Sequence, residues 1–85
     1  MKIKNHNINI GELILQNLKE KERSIAWLAK QIGSDKSNLT KTLKNDQFIY
    51  VDLLFRISIA LEEDFFVHYS QKLKELRGEI YHKRW

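Results

Sequence analysis

Apolar residues recur at three- and four-residue intervals along most of the chain, the spacing of helices that each bury one face. Ile10, Leu13, Ile14 and Leu18 predict a first helix from Ile8 to about Lys21, with Asn9 as its cap and Glu12, Gln16, Lys19 and Glu20 facing water. Ile25, Leu28, Ala29 and Ile32 predict a second, 25–32. Ser24 can cap it by accepting an orphan backbone N–H, and Gly33 can end it in a left-handed conformation. Asp35 can cap a third helix, 36–45, whose buried face is Leu39 and Leu43. Ala29, four residues before the glycine, is small enough to let the third helix cross the second closely. Leu54, Ile57, Ala60 and Leu61, with Leu53 on the flank, predict a fourth helix over 51–61. Phe65, Phe66, Tyr69, Leu73, Leu76 and Ile80 predict a fifth, from Phe65 to Arg77 or beyond. Glu62, Glu63 and Asp64 form an acidic turn where that helix begins, favourable for its dipole.

The segments between are polar. Residues 1–7 have no helical period and are expected to form a loose N-terminal arm. The run Lys-Glu-Lys-Glu-Arg at 19–23 is expected to be a solvated helix end without a function. Phe48 and Ile49 are expected to fold back over the core. Toward the C-terminus, Leu73, Leu76, Ile80, Tyr81 and Trp85 exceed what a small core needs. They are either a dimerisation surface or a longer helix folded back on its own domain. The tail His82–Trp85 is an interface element, a phosphate-binding arm or a frayed end.

Composition narrows the class. Eighty-five residues make one small domain, and the lack of proline with only three glycines suits an all-α fold with short turns. The absence of cysteine removes disulfides and thiolate metal sites. His6, His68 and His82 have no close metal-ligand spacing; Asp64 and His68 are read as a polar pair near a helix start. There is no glycine-rich phosphate loop and no nucleophile motif, so neither an enzyme nor a cofactor is expected. No apolar run approaches the ~20 residues that span a bilayer, and a cytoplasmic protein without membrane contact is expected. The net charge is +4 and the pI about 9.4. Three lysines stand against one aspartate over 35–45, and five basic residues against two acidic over 71–85, which favours a polyanionic partner.

Leu28, Ala29, Ile32, Gly33 and Leu39 carry a spacing that resembles the helix-turn-helix of XRE/Cro-repressor-like regulators. Trp27 before Leu28-Ala29, the string Asp35–Leu39 followed by Lys41, and the run Asp52–Ser58 are similar to small XRE-like regulators common in Bacteroidetes. The resemblance covers roughly residues 8–70. It implies a compact five-helix lambda-repressor-like domain with its helix-turn-helix at about 25–45, preceded by the 1–7 arm and followed by a 71–85 extension. It also implies that the third helix enters the major groove by its N-terminal turn. Lys36 would then meet guanine O6 and N7, Asn38 adenine or the DNA backbone, and Ser37, Thr40 and Lys41 the remaining base edges, with Thr40 suited to a thymine methyl. Phosphate contacts would come from Ser24 and the neighbouring helix N–H groups, the Trp27 indole N–H, Lys44, Asn45 and Gln47. Taken without the resemblance, Trp27 reads first as a half-buried packing residue and each lysine, taken singly, as a solvated one.

The chain departs from the related pattern at Tyr50 and Val51, where a Ser, Thr or Asp cap is expected. Either Asp52 caps the fourth helix or its start is looser by ~1 kcal/mol. Arg56 faces either DNA or an acidic neighbour. The expected function is sequence-specific binding of double-stranded DNA as a homodimer, regulating transcription. Two alternatives are an antitoxin that binds a toxin-type protein partner and an architectural DNA binder.

Overall fold

The computed structural model describes residues 8–45 and 49–77. The arm at 1–7, Gln47 and Phe48, and the readings made from Gly78 onward lie outside the described residues. Among the described residues there are five α helices and no strand: α1 (Ile10–Glu20), α2 (Ile25–Ile32), α3 (Lys36–Lys44), α4 (Val51–Leu61) and α5 (Val67–Leu76).

Three of the four expected caps form. The Asn9 side chain accepts the Glu12 N–H at 3.1 Å and donates to the Glu12 carboxylate at 3.2 Å, a reciprocal pair that starts α1. Ser24 accepts the Trp27 N–H and Asp35 the Asn38 N–H, both at 3.0 Å. The start of α4 resolves the other way. Tyr50 stands at its N-cap with no side-chain bond, and the Asp52 carboxylate pairs with Arg56 at 3.1 Å instead of capping. Arg56 therefore faces an acidic neighbour.

Gly33 ends α2 at φ 70°, as its sequence position suggests. Two glutamates do the same work elsewhere: Glu22 (φ 55°) after α1 and Glu62 (φ 52°) at the end of α4. In each case the next residue's N–H reaches back past it, Arg23 to the Leu18 carbonyl and Glu63 to the Ser58 carbonyl.

One core joins the helices. Ile10, Ile14 and Leu18 of α1, Leu28, Ala29 and Ile32 of α2, Leu39 and Leu43 of α3, and Leu54, Ile57 and Leu61 of α4 are buried together. Phe65, in the turn before α5, closes the cluster, with Phe66 and Ile49 packed at its edge. α3 lies against α1 and α2, and α2 against α4. Gly11 sets the α1–α3 approach, since a Cβ there would sit 2.5 Å from the Leu43 carbonyl oxygen. A polar tie joins the ends of α1 and α4: the Lys21 ammonium donates to the Leu61 carbonyl, and the Asn17 amide to Glu63 at 3.4 Å.

Two expectations need correction. The acidic run 62–64 does not lie in the first turn of α5, which begins only at Val67. Glu62 closes α4, and the Asp64 carboxylate accepts the Phe66 N–H at 3.0 Å in a two-residue turn instead of pairing with His68. The run at 19–23 is not merely solvated, since Lys21 and Arg23 both hold partners. α5 itself contributes no buried residue, so Phe65, with Phe66 at its edge, is the aromatic lid, and Val67, Tyr69 and Leu73 of α5 stay exposed.

Candidate nucleic-acid interface

The nine residues of α3 divide sharply by environment. Leu39 and Leu43, one turn apart, are buried and fix the helix against α1 and α2. Lys36, Ser37, Asn38, Lys41 and Lys44 are exposed. At 100° per residue, Ser37, Lys41 and Lys44 fall within about 60° of the line opposite the two leucines and Asn38 about 60° to its other side, whereas Lys36 falls on the leucine side and is exposed because it opens the helix. The helix geometry thus brings four of the residues expected at base edges or phosphates, Ser37, Asn38, Lys41 and Lys44, onto one outward surface, with Lys36 exposed at the helix start. None of the three lysines is paired with a carboxylate among the described residues. The nearest acid in sequence, Asp35, is engaged in the cap.

Thr40 is placed less openly than expected. It is half-buried, and its hydroxyl donates to the Lys36 carbonyl at 2.8 Å; Thr42 does the same to the Asn38 carbonyl at 2.9 Å. A threonine so engaged keeps its oxygen lone pairs and its methyl for an outside contact but not its proton. Asn45 is exposed at the C-cap of α3, its N–H held by the Lys41 carbonyl at 2.9 Å.

A second group stands at the start of α2. Ser24 is exposed and uses its oxygen as the cap acceptor, leaving its O–H free to donate. Trp27 is half-buried at the edge of the core, so the packing role is real. Its ring also carries the Arg23 guanidinium, 4.7 Å from the centroid. Arg23 was not among the expected site residues. The signal for it was an arginine four residues before a tryptophan, although the helix cap falls between them and the pair is not an ordinary intrahelical one. A guanidinium lying on an indole is partly ordered in advance and keeps its N–H edge for an anion.

Among the described residues no group of three or more His, Cys, Asp or Glu side chains converges as a metal site would require. No helix among them is long and apolar enough to cross a membrane.

The described residues define a small all-α protein of five helices, with a basic, otherwise polar helix held on its surface by two leucines. Against protein-family models, curated proteins and solved structures, the chain has no match.

Proposed function

We propose that this protein binds duplex DNA in a sequence-specific manner and regulates transcription, with α2, the Gly33 turn and α3 acting as a helix-turn-helix. The observation that carries this is the outward face of α3: Lys41 and Lys44, without carboxylate partners among the described residues, beside Ser37 and Asn38 and with Lys36 exposed at the helix start, on a helix fixed from behind by Leu39 and Leu43. Unpaired ammonium groups suit phosphates and guanine edges, and the short polar residues suit neighbouring bases. Lys36, Ser37, Asn38, Thr40 and Lys41 read bases. Ser24, Trp27, Lys44, Asn45 and Gln47 position the protein on phosphates, and Arg23 joins them. One such helix reads few base pairs, so two copies share a two-fold site, and occupancy blocks or recruits polymerase.

Selection of bound duplexes from a random pool at physiological salt tests the proposal. Enrichment of a two-fold symmetric site is expected. Binding that is only salt-sensitive and indifferent to sequence would overturn it.

The second reading is an antitoxin-like role toward a protein partner. It is favoured by α5, which buries nothing and leaves Tyr69 and Leu73 exposed. Co-purification of a second small chain from the native host would support it.

A further inference from the structure

α4 is apolar on two faces. Leu54, Ile57 and Leu61 fill the core. Val51, Phe55 and Ile59, at four-residue intervals, line the side away from it and are 72%, 54% and 61% exposed. Single exposed apolar residues are ordinary on a protein surface. Three in one row, about 12 Å from end to end at the helical rise, with the exposed Tyr50 beside them, form a continuous strip.

The flank of the strip shows what fits it. Asp52 and Arg56 lie along one side, paired at 3.1 Å and both more than half exposed. We propose that a second copy of this chain docks here, its α4 antiparallel to the first and Phe55 at the two-fold axis. Val51 of each copy then packs against Ile59 of the other. In the same register Asp52 lies opposite Ser58 of the second copy, two residues or ~3 Å along the axis from that copy's Arg56. The ion pair within each helix thus becomes a four-charge cluster across the seam, the two guanidinium groups at its centre and a carboxylate at each end, each carboxylate beside the other copy's guanidinium as well as its own. The surface is complementary to itself, as an isologous contact requires, and antiparallel helices also oppose their dipoles favourably. The strip supplies an apolar centre of roughly half the ~800 Å² that a specific interface buries per partner, and the charged flank supplies rim.

The seam gives the two-copy DNA reading above its contact surface and rests on it only for that purpose. Self-association is therefore measured without DNA, by sedimentation equilibrium of the full chain at physiological salt. A dimer is expected, with Phe55→Glu weakening it at least tenfold while the far-UV circular dichroism is unchanged. Asp52→Arg and Arg56→Asp should each self-associate more weakly than the parent. Mixed together they should pair more tightly than either does alone, because the cross-seam charges then match. A parent protein still monomeric at roughly 100 µM would overturn the seam. So would dissociation by Leu73→Glu but not by Phe55→Glu, or a mixture no tighter than its components. A dimer that enriches no two-fold DNA site leaves the seam standing and removes the DNA reading; a monomer that enriches a lone half-site does the reverse.

Discussion

α3 and α4 meet the core in the same way and the solvent in opposite ways. Each is anchored by buried aliphatic side chains one turn apart, Leu39 and Leu43 in α3, Leu54, Ile57 and Leu61 in α4. Outward, α3 presents Ser37, Lys41 and Lys44, whereas α4 presents Val51, Phe55 and Ile59. Their starts differ too: the Asp35 side chain caps α3, while Tyr50 gives α4 no side-chain bond. A helix that buries one face and hydrates the other is set up for a charged, hydrated partner. A helix that is apolar on both faces draws its stability from packing, and its outer face is incomplete without a partner.

The largest effects should come from the anchors. Leu43→Ala and Leu54→Ala are each expected to cost ~2–5 kcal/mol, read as a fall in the urea midpoint at unchanged slope. Their consequences should then part, Leu43→Ala lowering DNA affinity and Leu54→Ala lowering self-association, both at temperatures where each variant is still folded. If both variants lose both properties equally, the division of labour between the helices is wrong.

Next comes the approach of α1 to α3. The clash met by a Cβ at Gly11 is with the backbone of Leu43, not with a side chain that can swing away. Gly11→Ala should destabilise by ~1–3 kcal/mol despite the better helix propensity of alanine. A gain in thermal stability would show that the two helices part easily and that α3 is not held where the structure has it.

A comparable or smaller effect concerns DNA alone. Lys36→Ala should cost ~1–3 kcal/mol on the preferred site and relax base preference at one position. Lys44→Ala should weaken all sequences alike and reduce the salt slope by ~1. Titrations of both variants against matched and mismatched duplexes at several salt concentrations separate the two roles. Equal losses on every sequence for both would remove Lys36 from the base edge.

Much of this contrast was legible in the sequence. The five helices, the caps at Asn9, Ser24 and Asp35, and the buried set from Ile10 to Leu61 follow from spacing and from side chains whose chemistry is local. The polar face of α3 was legible for the same reason, since lysine and asparagine declare their exposure. The outer strip of α4 was overlooked, because an aliphatic residue does not say whether it lies in the core or outside it. The signal was present: Val51, Phe55 and Ile59 keep a four-residue period beside the face of Leu54, Ile57 and Leu61, too much apolar surface for a helix with one buried face. The Arg23–Trp27 stack and the Lys21–Leu61 tie were missed because a run of alternating charges reads as solvent-facing until distant elements are in place. The role of Gly11 is not legible in the sequence, since a close approach needs both partners to be known.

The ends of the helices give the smallest effect and the one that best isolates backbone from packing. Left-handed residues end α2 and α4, and the first is glycine while the second is Glu62. A side chain in that region costs about 1–2 kcal/mol by local sterics, partly offset because glycine loses more freedom on folding. Glu62→Gly should therefore raise stability by a few tenths to ~1 kcal/mol. The reverse change, Gly33→Ala, should lower it by ~1 kcal/mol, although no atom beyond the adjoining residues lies within 4 Å of the added Cβ. For a domain of this size each kcal/mol moves the melting midpoint by about 4–8 °C, within reach of a calorimetric scan. Opposite signs at the two positions would assign the effect to the backbone. A loss at Glu62→Gly would mean that contacts of its side chain outweigh both the strain and the unfavourable carboxylate at a helix C-terminus, and that this helix end is held by more than the Lys21 tie.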